Sequence, residues 1–546
     1  MTALFTPGLQ DREDHRRSAT FYAKHARGGH FFLFATALSG QGRLQLCALT
    51  YRVTRDHGRQ LPATPGREEA GIFNTTHNCV NALLAGTTLL LCGCLAGAPM
   101  RDSGTVAGVV VPATWSGPTT TAATVEPPLA SWWLRFNDPI LSALVAQALH
   151  DSTEVKSAEA ALAQATALRA AAAAALWPTL DGAAVAQHGT AGGNDTGSSV
   201  QLGVDGAWVP DVFGANRSAL RASRATLQAS AASLDYTRIA VAAEVGASYI
   251  LLRSAQARAL IATENLASQQ ETLQITQWRQ QAGLVTELET AQAYAAVEQT
   301  RALLAGAQIS IEQTRHALAV LTGKPPAALD ELLSIASPVP QSPDVAGLGI
   351  PLDTLRQRPD VRVAERQVAV AMAQLSQARA ARWPGFALSG SLSLDDTNTG
   401  SLTDRASLLS SLLASISLPL FDGGARRAQV RAHQAALEQA RAAYELTVLT
   451  ALRDVEDDIA ALRGDRVRMQ SLDNAASAAA SAAALARQRY GSGLVDFQVV
   501  LDTQRTRLAT QDSLVSASAD VGGDQVRLFK ALGGGWRDDN AGQLQP

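Results

Sequence analysis

The sequence predicts a mainly α-helical protein carrying a transmembrane β-barrel, built from one structural unit used twice. Three observations lead there. Alanine-rich stretches with few aromatics (5%) and few charges (17%) suit long helices packed through small side chains. Two segments of about 70 residues share one gap-free register at an offset of 210. Four segments of about ten residues alternate apolar with small or polar residues, the period of a barrel strand.

The same composition excludes several functions. A net charge of −3 over 546 residues offers no basic face for nucleic acid. The cysteines are Cys47, Cys79, Cys92 and Cys94, and none follows. A thiol-free chain crosses an oxidising compartment without misforming disulfides and has no cysteine–zinc site. No two histidines after residue 94 stand at metal-ligand spacing, so neither a metal nor a cofactor is expected. The only Gly-Lys, Gly323-Lys324, is followed by Pro325 instead of the Ser/Thr of a phosphate loop. Nucleophile-elbow and zincin motifs are absent too, and no enzyme is predicted.

In chain order, the apolar run from Ala82 to Leu91 is too short for a bilayer, which takes roughly 20 residues. It fits the core of a signal peptide. It ends Leu91-Cys92-Gly93-Cys94, which resembles a bacterial lipobox and makes Cys94 the expected lipidation site. Residues 1 to about 75 fit no export signal, as a mis-called start or a disordered extension, and cleavage after Gly93 would remove them. Residues 94–130, with Gly117-Pro118-Thr119-Thr120-Thr121, read as lipid anchor and extended tether. The first unit is expected over 131–340, the second over 341–536, and a short tail over 537–546.

Each unit opens with an alanine-rich helix. Glu159 stands eighteen residues before Trp177-Pro178, and Glu365 eighteen before Trp383-Pro384. Strand-like segments follow: Leu180 to His188 (the weakest) and Val200 to Trp208, then Phe386 to Leu394 and Leu412 to Leu420. Next, Phe213-Gly214-Ala215 is answered by Phe421-Asp422-Gly423-Gly424-Ala425. From there Gly214–Val285 and Gly424–Val495 run in register. Leu252-Arg253 matches Leu462-Arg463, Arg279 matches Arg489, and Gly283-Leu284-Val285 matches Gly493-Leu494-Val495. One inserted residue would turn every later side chain by about 100°, so the register implies one unbroken helix about 100 Å long in each unit. Four strands cannot close a membrane barrel, whose smallest examples have about eight, and open edges are not tolerated in lipid. The strands must therefore be shared among subunits of a symmetric oligomer enclosing a channel.

Over residues 130 to 536 the chain resembles the TolC-type outer-membrane efflux ducts, in the lipoprotein branch serving resistance–nodulation–division multidrug pumps. The resemblance is carried by Trp133 with Phe136-Asn137-Asp138-Pro139, by Trp177-Pro178, and by Pro210-Asp211-Val212-Phe213-Gly214. It is carried further by Arg489-Tyr490-Gly491-Ser492-Gly493, Val500-Leu501-Asp502-Thr503-Gln504-Arg505 and the ending from Leu528 to Trp536. It implies a homotrimer with a twelve-stranded barrel in outer-membrane lipid and a helical tunnel through the periplasm. It also implies partners: a periplasmic adaptor and an inner-membrane transporter of the resistance–nodulation–division type. Leu95 after the acyl cysteine fits outer-membrane sorting. The expected function is passive conduction of drugs or other small molecules to the exterior; the alternative is the outer-membrane duct of a type I protein secretion system.

Two candidate sites follow. Gly283 and Gly493 fall where each long helix ends, and positive φ is the simplest reason for glycine there. The resemblance adds that these tips, with Leu284 and Leu494 exposed, meet the adaptor. Asp502 lies nine positions past Gly493, about 14 Å along the returning helix. Taken alone it is equally a solvated helix carboxylate. The family position makes it a three-fold ring that favours cations. Gln498, four residues earlier on the same face, stands where similar ducts often carry an apolar constriction, implying a wetter one here. Secretion-type relatives carry a second acid at the position of Val499, implying a less charged ring. Tyr490 and Glu289 match positions that in similar ducts link neighbouring helices and hold the periplasmic gate shut.

Overall fold

A computed structural model describes Trp115 and residues 129–191, 195–342, 355–396 and 408–534. The signal segment, Cys94, most of the tether and the C-terminal tail lie outside the described residues.

From Leu129 the described chain opens with a 3-10 segment, Leu129–Phe136, and helix α1, Pro139–Asp151. The Asp138-Pro139 pair starts α1 in two ways. Asp138 Oδ1 accepts from the backbone N–H of Ile140 (2.9 Å) and Leu141 (3.1 Å), satisfying two of the orphan donors of the first turn. Pro139 takes the first helical position, where a missing N–H costs nothing. Ser152 then caps α2, Thr153–Ala174. The second half has a helix of the same 22 residues, α5, Pro359–Ala380. Both stop at Trp-Pro, since proline can neither donate to nor fit within a continuing helix.

Strands β1 (Thr179–Ala191), β2 (Asp195–Trp208), β3 (Gly385–Asp396) and β4 (Leu408–Ser417) form one antiparallel sheet in the order β1-β2-β3-β4. The halves join at β2–β3, where Val204 faces Leu392 and Gly206 faces Gly390. The edges, β1 and β4, are unpaired among the described residues. All four expected strands exist, but β4 runs from Leu408 to Ser417, short of the expected end at Leu420, because Pro419 has no N–H to give a ladder. None of the hydrophobic clusters among the described residues includes a strand residue. The sheet instead leaves Leu180, Leu202, Leu392, Leu412 and Ile416 exposed.

Helix α3, Ala215–Gln281, and helix α6, Ala425–Gly491, are each 67 residues long, and each starts from a glycine in the left-handed conformation. Their returning partners, α4 (Glu287–Leu321) and α7 (Phe497–Ala531), are each 35 residues. All four begin and end at the offset of 210 read from the sequence. At 1.5 Å per residue the long helices extend about 100 Å. No helix among the described residues is long and apolar enough to cross a membrane.

The main core lies partway along the bundle, where α1, α3, α4 and α7 meet the 3-10 segment. Trp132 is fully buried and stacks on Phe529 at 5.6 Å. A Cβ at Gly246 would sit 2.8 Å from the Trp132 ring, so glycine is what lets α3 pass this close. Trp115 departs from the tether reading. It is buried with Val455, Ile459 and Val521 between α6 and α7, the aromatic of a Pro/Thr/Gly stretch serving as its apolar anchor.

Candidate functional site

At the end of the bundle away from the sheet, α3 and α6 reverse through the same turn. Gly283 has φ +68° and Gly493 φ +72°. Their N–H groups donate to Gln280 O (2.9 Å) and Tyr490 O (3.0 Å), and those of Leu284 and Leu494 to Arg279 O (2.8 Å) and Arg489 O (2.9 Å). This is a Schellman termination, in which two late carbonyls are satisfied by a left-handed glycine and its successor. Nothing lies within 4 Å of a Cβ at either glycine, so the backbone conformation, not space, demands glycine. Leu284 and Leu494 are each 73% exposed. The turn reading of both glycines therefore holds in geometry, and both leucines stand free within the chain.

Tyr490 is buried in a small cluster with Ala293, Ala296, Phe497, Val500 and Leu501. Its ring lies 5.4 Å from that of Phe497, and the Arg279 guanidinium sits over it at 4.4 Å. Arg279 Nη2 also donates to the carbonyl oxygens of Tyr490 and Gly491, both at 3.2 Å, so α3 clamps the C-terminus of α6. Cations are favoured at such an end by the exposed carbonyls. The Tyr490 hydroxyl is buried without a hydrogen-bond partner among the described residues. It is therefore not bonded to Glu289, which sits half-buried in the first turn of α4.

Asp502 lies on the exposed side of α7. Gln498 Nε2 donates to its Oδ1 at 3.0 Å, as their four-residue spacing requires. Arg505 approaches the same oxygen at 3.8 Å, so a cation of the chain's own faces this carboxylate. The sequence reading missed Arg279, Phe497 and Arg505. Arg279 was visible only as a repeated position, and the ring it holds has no counterpart in the first half, where Gln280 stands in place of Tyr490.

A second ionisable cluster lies between α6 and α7 nearer the sheet. Asp524 is wholly buried and pairs with Arg527, which also reaches Asp458 at 3.8 Å. Burial pushes Asp458 up to about 6 against the pull of Arg527, with repulsion from Asp524, Asp454 and Asp457 adding to it. Burial likewise lifts Asp524 to about 6, with Arg527 opposing and Asp465 reinforcing. Among the described residues no group of His, Cys, Asp and Glu is placed to hold a metal.

Residues 144–324 and 350–534 match the family model described as outer membrane efflux protein. The outer membrane protein OprJ of Pseudomonas aeruginosa is 32% identical over 355 residues, 63% of this chain and 72% of that one. The toluene efflux pump outer membrane protein TtgF of Pseudomonas putida is 30% identical over 413 residues, 74% and 85% of the two chains. Among solved structures, the outer-membrane channel OprN superposes with a TM-score of 0.70 at 32% identity, over 79% of this chain and all of that one.

Proposed function

The chain belongs to the outer membrane efflux protein family, and we propose that three copies join their sheets into one twelve-stranded barrel through which the pump discharges. It is the outer-membrane channel component of an efflux pump and not an enzyme. The observation that carries the barrel is the sheet itself: four strands, two unpaired edges, and apolar side chains left uncovered on it. Such a sheet is a liability in water and stable in lipid only when closed. Joining β4 of one chain to β1 of the next closes it after three copies. The 67-residue helices then continue the lumen into the periplasm. The equal helix lengths in the two halves support two copies of one unit, over 131–340 and 341–536.

In this reading Cys94 is lipid-modified and tethers the chain through residues 94–130, while the barrel supplies the larger membrane affinity. The tips at Gly283-Leu284 and Gly493-Leu494 meet a periplasmic adaptor, which links the duct to an inner-membrane resistance–nodulation–division transporter. Both leucines protrude as an apolar docking contact must. Asp502, with Gln498, forms the ring at the periplasmic mouth, and Tyr490 and Glu289 link neighbouring helices that hold it shut. No observation favours protein secretion over efflux of small molecules.

Protein purified in detergent is expected to be a trimer with mixed helix and strand content. A monodisperse monomer retaining both would overturn the shared barrel. Mass spectrometry of the mature N-terminus checks the anchor, and an unmodified residue 94 would remove it. Replacing Leu284 and Leu494 with Asp is expected to weaken capture of the adaptor while leaving the trimer intact, and unchanged capture would leave the tips a purely structural role.

A further inference from the structure

The chain as a whole carries −3, yet the four segments meeting the base of the sheet are strongly basic. Residues 166–178, 209–224, 376–384 and 418–433 hold nine arginines, no lysine and two aspartates, a net charge of +7. Beyond those two aspartates the nearest acids down the helices are Glu159, Asp235, Glu365 and Glu438.

The fold gathers these segments into one collar. Trp208 Nε1 donates to Leu176 O (3.1 Å), Asn216 Nδ2 to Ala175 O (3.3 Å), and Arg426 to Ala381 O. The Phe213 ring stacks on Trp383 at 5.5 Å and on Phe386 at 6.2 Å, tying the two halves together. Both aspartates are already engaged. Asp211 accepts from the backbone of Asn216 and Arg217 and pairs with the Arg217 guanidinium at 3.2 Å. Asp422 accepts from the backbone of Gly424 and Arg426 and lies 3.8 Å from the Arg426 guanidinium. Arg221 and Arg224 on α3, Arg431 on α6, and Arg169, Arg379 and Arg382 near the ends of α2 and α5 are exposed and make no ion pair among the described residues.

Directly at the strand bases stand exposed rings, Trp177, Trp383 and Phe421, beside Leu420. The strands carry Asp181 and Asp205 near their bases and Asp195, Asp395 and Asp396 at their far ends, and no strand carries an arginine. Rings at strand ends mark the level where hydrocarbon gives way to headgroups. A row of guanidinium groups one to three turns beyond that level meets headgroup phosphates, to which arginine donates two parallel hydrogen bonds. Basic clusters next to a spanning segment select anionic lipids. We infer that this collar binds the phosphodiester groups of anionic phospholipids in the leaflet facing the helices, three chains forming a ring beneath the barrel. The inference rests on the barrel reading above. A soluble polyanion would be drawn by the charge alone but has no use for the adjoining rings.

The test uses the full chain reconstituted into vesicles of phosphatidylethanolamine alone or with one quarter phosphatidylglycerol. It is then extracted and weighed by native mass spectrometry. The wild type is expected to retain phosphatidylglycerol over phosphatidylethanolamine by about tenfold, and the variant Arg221→Gln/Arg382→Gln/Arg431→Gln by no more than about twofold. The corresponding lysine variant, which keeps charge and loses the fork, is expected to fall between them. Arg489→Gln, at the opposite end of the bundle, is expected to behave as wild type. Size-exclusion chromatography establishes that each variant is assembled, and the wild-type comparison stands even if the triple variant is not. Equal retention of both lipids by the wild type, or undiminished preference in an assembled triple variant, overturns the collar and leaves the barrel. Failure to float with vesicles of either composition overturns the barrel reading and the collar with it.

Discussion

Arg253 and Arg463 hold the same position on the two long helices, 210 residues apart, and meet opposite fates. Arg253 is completely buried, donating to Ile335 O (2.6 Å), Gln256 Oε1 (2.8 Å) and Tyr249 Oη (2.7 Å). Tyr249 in turn donates to Asp138 Oδ2 at 2.7 Å, so the network reaches the cap that starts α1. Arg463 is exposed. The difference belongs to the neighbours. Helix α3 packs against α1, α2, α4, α5 and α7, whereas α6 packs chiefly against α5 and α7 and meets α3 through Arg279 and Arg487. Equal sequence registers fix equal helices, and the place each helix takes in the chain decides which face is buried.

The sharpest way to break this comparison is to truncate both arginines. Arg253→Ala is expected to cost about 3–5 kcal/mol, since it strands Ile335 O and the Tyr249–Asp138 pair inside the core. Arg463→Ala is expected to stay within about 0.5 kcal/mol. Thermal unfolding of the two variants checks it, and similar losses would mean that the halves are equivalent in energy as well as in length.

The next effect concerns two carboxyl groups raised by burial, both in the second half. Asp458 and Asp524 correspond to Ser248 and Thr314 in the first half. Each carboxyl has a folded-state pKa of about 6, above the ordinary 3.8, so the native state binds more protons than the unfolded one between those values. Stability therefore rises as pH falls through about 6, the gain is complete below 3.8, and the penalty is fully present above 6. Asp524→Asn is expected to raise stability at pH 7.5 by on the order of 2 kcal/mol and to lose that advantage near pH 4. Denaturation at the two pH values measures it; an advantage that grew on acidification would reverse the assignment.

Smaller still is the expected change in conduction. Asp502 corresponds to Gln292, so in the proposed ring each chain contributes one acid although the unit occurs twice. In planar bilayers Asp502→Asn is expected to lower cation preference, and Gln292→Asp to raise it, by about twofold each. Opposite or absent changes would put the selective ring elsewhere. Tyr490→Phe removes a hydroxyl with no partner among the described residues, so the isolated protomer is expected to keep its stability while the channel conducts more. The last and smallest effect separates Arg279 from Arg489. Arg279→Ala is expected to speed hydrogen exchange over the last turn of α6, whereas Arg489→Ala, whose side chain is exposed, leaves that turn unchanged.

Much of the fold was legible because long helices tolerate no register slip: the ends of α3 and α6 follow from the spacing of matched residues. The strands were legible from alternation, except at the end of β4, where leucines continue the pattern past the proline that stops the ladder. In the candidate site, the two glycine turns could be read because backbone conformation dictates the residue. The clamp of Arg279 on Tyr490 could not, because contacts between α3 and α6 join residues 211 apart whose pairing no local pattern encodes. Trp115 was hidden for the same reason: a lone aromatic in a loop sequence does not reveal what it docks on.

The seam between β2 and β3 has a consequence for how the molecule comes into being. Trp208 faces Leu388 and Val200 faces Asp396, so the partners in this seam are separated by about 180 to 200 residues of intervening chain. The hairpins β1–β2 and β3–β4 need only short loops to close and can form as soon as each is made. The seam must wait until α3, α4 and α5 have folded the second hairpin back beside the first, and long-range closure of this kind is slow. During that interval each hairpin carries two open edges and bare leucines, the state most prone to stick to its own kind. The chain's period of greatest hazard is therefore set by the time its own helices take to bring the hairpins together, before any second chain is involved.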